Sequence, residues 1–143
     1  MMRRGLLLAL VLLAAGGGSS RAGGDDAYEI IVNPAVDVSE IDRDTLRDIY
    51  LKKVNELDGH DTHPIGLASK FPAAERFIHD VLRKTPSQLK SYWNQQIFSG
   101  KGVPPPDADS PSAAIDYVLD HEGGVGYLPA GTPPGKAKLV RLR

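Results

Sequence analysis

Between Thr85 and Pro106 the chain spells out a helix with both ends marked, followed by a segment that can be neither helix nor inner strand. Thr85-Pro86-Ser87-Gln88 offers a hydroxyl at the N-cap, proline at the first helical position and glutamine three residues on, the pattern of a capping box. Leu89, Tyr92, Trp93 and Gln96/Ile97 recur at three- and four-residue spacing, giving one apolar stripe that carries the only tryptophan. Ser99-Gly100-Lys101-Gly102 stops the helix, because glycine accepts the left-handed conformation past a helix end at little cost. Val103-Pro104-Pro105-Pro106 cannot continue a helix or donate to a sheet ladder, so it is a stiff extended connector. On these grounds the helix is expected to face the core, with Trp93 at its centre and the rest of the chain packed around it.

The chain of 143 residues is long enough for one domain and too short for two comfortable ones. Its first residues are not part of that domain. Met1-Met2-Arg3-Arg4 is a basic start, and Leu6 to Ala15 is an apolar run of about ten residues, half the roughly 20 needed to span a bilayer. Ser20-Arg21-Ala22 places small residues where a signal peptidase reads. The expectation is a signal peptide over 1–22, a flexible glycine-rich lead-in over 23–27, and a single domain over 28–143. An uncleaved N-terminal anchor is the competing reading.

The chain has no cysteine, which excludes disulfides and anchoring through a lipidated cysteine, so the exported domain must be held by its core alone. Removing Arg3, Arg4 and Arg21 leaves 14 Lys+Arg against 18 Asp+Glu, a net charge of −4. A mildly acidic domain without a basic cluster is a poor match for nucleic acid or an anionic membrane surface.

Tyr28-Glu29-Ile30-Ile31-Val32-Asn33 reads as a buried strand closed by Asn33-Pro34. Asp42 is placed to cap a helix in which Leu46, Ile49 and Tyr50 form the buried stripe. Asn55 to His63, with Asp58-Gly59, reads as a turn, and His63 to Ala68 as a second strand. Pro72 opens a helix carrying Ala74, Phe77, Ile78, Val81 and Leu82, and Ser110-Pro111 opens another with Ile115, Val118 and Leu119. Gly123-Gly124 reads as a cap and tight turn before a strand over Gly124 to Leu128, and Lys138 to Leu142 can form the last strand. The alternation of strands and helices predicts an α/β fold, a three-layer domain with a mostly parallel sheet. A helical bundle competes, but the β-branched runs around Ile31 and Val125 argue against it.

Enzyme chemistry finds no support in these residues. His60-Asp61-Thr62-His63 lies in a turn without helical spacing to a further ligand, so a metal site is not expected. Gly123-Gly124-Val125-Gly126 follows a helix rather than opening one, unlike a phosphate or dinucleotide loop. No nucleophile elbow occurs. Neither a catalytic residue nor a cofactor is expected. What remains is ligand binding, and in an open α/β sheet anions sit where helix N-termini meet strand ends. The turn into the helix at Pro72 is such a place, with Ser69 and Lys70 as its polar groups and Arg76 on the helix that follows.

Over roughly Ile30 to Pro129 the chain resembles the phosphate-binding components of bacterial ABC transporters. The resemblance is carried by Ile30-Ile31-Val32-Asn33, by Thr45-Leu46-Arg47-Asp48-Ile49-Tyr50-Leu51-Lys52, and by Asp58-Gly59 before Pro64-Ile65. Arg76-Phe77, the Trp93 to Pro105 segment and Gly124-Val125-Gly126-Tyr127-Leu128-Pro129 complete it. It implies one lobe of a type II periplasmic solute-binding protein, located in the periplasm or secreted. It further implies phosphate or another small oxyanion as ligand at Ser69, Lys70 and Arg76, and an ABC transporter permease or another envelope protein as partner. Two departures count against that ligand. Family members have two lobes around a cleft, and their Gly-Ser-Gly-Thr-like turn is here Lys70-Phe71-Pro72-Ala73, without hydroxyls and poorer in free N–H groups. The alternative function is an envelope accessory or interaction protein that keeps the lobe and has lost the ligand.

Overall fold

Strand β1 (Tyr28–Val32) is the centre of the molecule. Ile30, Ile31 and Val32 are all buried, as a continuous apolar run requires when both faces of a strand are covered. The computed structural model describes residues 24–143; the expected signal peptide over 1–22 lies outside the described residues. Residues 24–27 form a turn closed by the Ala27 N–H to the Gly24 carbonyl.

After β1 come strand β2 (Glu40–Ile41), helix α1 (Arg43–Tyr50) and a hairpin of β3 (Glu56–Leu57) with β4 (His60–Asp61). The hairpin turn is Asp58-Gly59, with φ of 51° and 77°, the doubly left-handed geometry that matches the twist of paired strands. The strand expected from His63 to Ala68 is two short ones, β5 (His63–Pro64) and β6 (Gly66–Leu67), which pair in different sheets. Helix α2 (Pro72–Phe77) runs on into a π-helical turn, Ile78–Leu82, and is followed by α3 (Pro86–Phe98), β7 (Asp107–Ala108) and α4 (Pro111–Asp120). Strands β8 (Gly124–Pro129) and β9 (Lys138–Leu142) end the chain.

The main sheet has the order β2-β9-β1-β8-β5. The predicted α/β class and layering hold, while the expected dominance of parallel pairs gives way to a mixed sheet. β1 runs antiparallel to β8, with Ile30 opposite Tyr127, and antiparallel to β9, with Ile30 opposite Val140. Only the short outer pairs, β2 with β9 and β5 with β8, are parallel. The reason is the route of the chain: β8 and β9 point the same way and leave a gap of one strand, which β1 fills in the opposite direction. The crossing is made by the proline-containing loop 130–137 rather than by a helix, so alternation of elements along the sequence carried no sign of it.

Side chains alternate across the strands and define the layers. On one face Tyr28 and Tyr127 meet Phe77 of α2, with ring centroids 5.5 Å and 3.9 Å from it, and Tyr50 of α1 joins at 4.8 Å. On the other face lies α4, so close that a Cβ added at Gly126 would meet Val118 Cγ2 at 3.1 Å. Buried aromatic clusters of this kind dominate the packing energy of a core.

This cluster, and not α3, is what the chain is packed around. α3 begins as predicted: the Thr85 hydroxyl accepts from the Gln88 N–H, and the Gln88 side chain accepts from the Thr85 N–H. It also ends as predicted, at Gly100 with φ 71°. But of its apolar stripe only Trp93 is buried, at 7% exposure, while Ile97 is 51% and Phe98 94% exposed. The helix lies at the rim, roofing a cavity rather than a sheet, which a stripe of the right period cannot distinguish.

Two further local readings change. Asp42 precedes α1 but makes no capping bond; its carboxylate pairs with Arg143, whose hydrogen bond holds the Asp42 pKa down. Gly123 and Gly124 do not cap α4 through a left-handed residue. Gly123 is needed for close approach, since a Cβ there would lie 1.7 Å from the Asp61 carbonyl oxygen. The C-terminus of α4 is capped instead by Asn33, whose Nδ2 donates to the carbonyls of Val118, Leu119 and His121 at 3.0, 3.2 and 2.8 Å.

Candidate functional site

The proline connector after α3 ends by joining the second, two-stranded sheet. β6 pairs in parallel with β7, Gly66 opposite Asp107 and Leu67 opposite Ala108, and the Gly66 N–H donates to the Pro106 carbonyl. The connector is thereby held opposite α2 and its π-helical turn, with α3 closing the third side. The space between them is a cleft of about 430 Å³. Its aromatic lining is Tyr50, Phe77, Tyr127 and Trp93. The Tyr50 hydroxyl donates to the Ile65 carbonyl at 2.7 Å, and the Tyr127 hydroxyl accepts from the Leu67 N–H at 3.2 Å.

Among the described residues, Asp107 is one of three charged ones that line this cleft, with Glu75 and Lys90. Its carboxylate lies against Gly66, where an added Cβ would come within 2.4 Å of Oδ1 and 3.7 Å of the Tyr127 hydroxyl. Glycine at 66 is what leaves room for it. Among the described residues no hydrogen-bond donor or cation is paired with the Asp107 carboxylate. Although the residue is exposed at the strand end, partial desolvation raises its pKa above the usual carboxylate value. Tyr127, pushed up to about 12 chiefly by burial, and Tyr50, pushed well above an ordinary phenol by the same cause, both also feel the Asp107 charge.

The residues singled out from sequence do not converge. Ser69 and Lys70 are neighbours in the exposed turn before α2, and Ser69 lines the aromatic cleft. The Lys70 ammonium sits 5.3 Å from the Phe71 ring centroid. Arg76 lines a different cleft, of about 590 Å³, beside Tyr28, Arg43 and Asp80. There it is ion-paired with Asp26 at 3.0 Å and Asp80 at 2.8 Å, so two carboxylates already occupy the groups an oxyanion would take.

The start of α2 is poor in donors. Phe71 is extended and gives no side-chain cap, Pro72 has no N–H, and the Phe71 and Ala74 N–H groups are spent on the carbonyls of Ala68 and Phe71. Glu75 stands in the first turn, where a negative charge already complements the helix dipole. Sequence reasoning missed Asp107 because two-residue strands leave no periodic signal. The one available sign was an aspartate directly after Pro104-Pro105-Pro106.

Three of the four histidines gather at the far end of the sheet, while His79 stands apart on the π-helical turn against Asp80. His63 lies in β5 rather than in a solvated turn, its ring 4.6 Å from that of His121, and His60 is 3.9 Å from Glu122. Among the described residues no three ligand-type side chains are grouped closely enough to hold a metal ion.

The architecture is that of one lobe of the periplasmic phosphate-binding proteins. Solved structures of similar fold include an ABC-type phosphate transport receptor from Vibrio cholerae, with a TM-score of 0.62 and 15% identity, covering 82% of this chain and 46% of that one. A putative phosphate ABC transporter substrate-binding protein from Clostridium perfringens, solved with bound phosphate, has a TM-score of 0.62 and 13% identity over 82% of this chain and 45% of that one. PstS from Borrelia burgdorferi has a TM-score of 0.59 and 13% identity, with 82% and 47% covered. The chain thus spans about half the length of these structures, and at such identities the likeness is one of fold. No family model matches the sequence, and no curated protein matches it. The neighbours include a phosphate transport receptor and a substrate-binding protein with bound phosphate, and no described helix is long and apolar enough to cross a membrane.

Proposed function

We propose that the chain is an exported solute-binding-protein-like lobe that works in the periplasm or outside the cell as a binding module, not an enzyme, and that it does not take phosphate. The observation that carries this reading is the turn into α2. Phe71 and Pro72 supply no polar side chain and one N–H fewer, while Glu75 and Asp107 line the adjoining cleft. A desolvated phosphate needs several donors, and each one missing costs about 1–3 kcal/mol. The protein is then an envelope accessory or interaction lobe. The competing reading is an oxyanion receptor serving an ABC permease through Ser69, Lys70 and Arg76; it is favoured by the exposure of Ser69 and Lys70.

Thermal unfolding in phosphate separates the two. A site of micromolar affinity would contribute about 4 kcal/mol at millimolar phosphate by mass action, a shift of about 10 °C or more for a domain of this size. The expected result is no shift beyond that in sulfate or chloride at equal ionic strength. A phosphate-specific shift of several degrees overturns the proposal and restores the receptor reading.

A further inference from the structure

We infer that the cleft between α2, α3 and the proline connector is a binding site for a small organic ammonium ion with an apolar, ring-sized body. Three independent features of the cleft converge on that class. Its volume, about 430 Å³, lies in the range of small-molecule sites, roughly 300–1,000 Å³. Its lining is largely apolar, formed by the buried side chains of Tyr50, Phe77, Trp93 and Tyr127 with the exposed Ile97, a wall suited to covering the apolar body of a ligand. At its wall lies the Asp107 carboxylate, with neither hydrogen bond nor ion pair.

The neighbouring charges leave that preference in place. Glu75 adds a second negative charge to the lining, and Lys90, its one cation, forms no ion pair with either carboxylate. The Tyr127 hydroxyl accepts the Leu67 N–H and gives its own proton to no described acceptor, so it can support a polar head beside Asp107. An anionic ligand of the same size would meet Asp107 and Glu75 with only Lys90 to offset them. A neutral one would gain nothing from the unpaired carboxylate, whereas an ammonium head can form a charge-assisted hydrogen bond with it. The ammonium head therefore belongs at Asp107 and the body against the rings.

The cleft carries its own reporter, since Trp93 is the only tryptophan in the chain and lines the site. Three probes with the same phenylethyl body are titrated against the full chain at neutral pH while Trp93 emission is followed: 2-phenylethylammonium, 2-phenylethanol and 3-phenylpropionate. The ammonium is expected to give a saturable change, with the alcohol at least about tenfold weaker and the carboxylate without effect, as befits a charge-assisted hydrogen bond. Asp107→Asn, which preserves shape and breaks no hydrogen bond, is expected to bring the ammonium to the level of the alcohol at an unchanged melting temperature. Equal titration by ammonium and alcohol overturns the inference, as does undiminished ammonium binding in Asp107→Asn or no saturable signal up to the ammonium's solubility. The wild-type comparison of probes decides the question even if the variant folds poorly. Phosphate is absent from every arm, so the outcome is independent of the oxyanion test.

Discussion

Replacing Asn33 tests whether a single buried amide holds α4 onto the sheet. Asn33 is 7% exposed and ends β1. Its Nδ2 faces the Val118, Leu119 and His121 carbonyls, and its Oδ1 accepts the Ala35 N–H at 2.8 Å. The last carbonyls of any helix lack partners within it, so this side chain does for α4 what a left-handed glycine does elsewhere. An amide nitrogen has two protons, so the three acceptors share two full bonds; with the Oδ1 bond that makes about three, each worth about 1 kcal/mol net. Asn33→Ala is therefore expected to cost about 3 kcal/mol of the roughly 5–15 kcal/mol available to a domain, or about 10–15 °C in Tm. Asn33→Asp keeps the Oδ1 acceptor but turns a carboxylate toward carbonyl oxygens, and should cost more than alanine at neutral pH. Such a carboxylate has its folded pKa raised, so its contribution is present below the unfolded value of about 4 and is lost as pH rises through the folded one. The gap between the two variants should accordingly close on acidification. Urea unfolding followed by circular dichroism measures all of this. A loss below about 0.5 kcal/mol for Asn33→Ala, or an aspartate variant no worse than alanine at pH 7, would refute the capping role.

Gly123→Ala should destabilise by about 2 kcal/mol or more, because the new methyl would lie 1.7 Å from the Asp61 carbonyl and the hairpin would have to move; denaturant midpoints check it. Phe77→Ala, at the centre of the aromatic cluster, is expected to cost about 3–5 kcal/mol and to exceed Trp93→Ala, since Trp93 lies outside the main core cluster; paired urea curves rank them. Alkaline pH should unfold the protein through its tyrosines. The folded pKa of Tyr127 is raised to about 12, so its contribution is intact below pH 10 and lost between about 10 and 12. That is worth about 2–3 kcal/mol at the limit, with Tyr50 shifted in the same direction by burial. Phenolate absorbance rising in step with loss of circular dichroism is the expected outcome.

What the sequence made legible was local. The Thr85/Gln88 capping box, the Ser110 cap of α4 through the Ala113 N–H, the buried stripe Leu46, Ile49 and Tyr50, and the burial of β1 all depend on residues within a turn or two of each other. What it hid depends on pairings between distant segments. Nothing near Tyr28 announces that both its neighbouring strands come from the last quarter of the chain and run against it. Nothing in Asn33-Pro34 announces a helix end some 85 positions away. The stripe of α3 misled for a related reason: period fixes which residues share a face, but whether that face meets a sheet or a cavity is settled by the connector and β7. In the candidate site, Ser69 and Lys70 were visible as polar residues at a turn, while Asp107 acquired meaning only when β7 was laid beside Gly66.

Sheet order and charge at the cleft answer to different residues, which is why a phosphate-receptor fold does not fix a phosphate ligand. The lobe is set by β1, the aromatic cluster around Phe77 and the packing of α4. The electrostatics at the mouth of α2 are set by a handful of positions that contribute little to that core: Phe71 and Pro72 at the helix start, Glu75 in its first turn, Asp107 across the cleft. A helix N-terminus attracts anions through free N–H groups and the dipole together. Here a proline and two internal hydrogen bonds reduce the donors, and the chain's own Glu75 answers the dipole. With Asp107 added, a second external anion meets repulsion where a receptor would offer donors. An apolar wall beside an unpaired carboxylate stands there instead, so the charge at the cleft is set by positions that leave the topology unchanged.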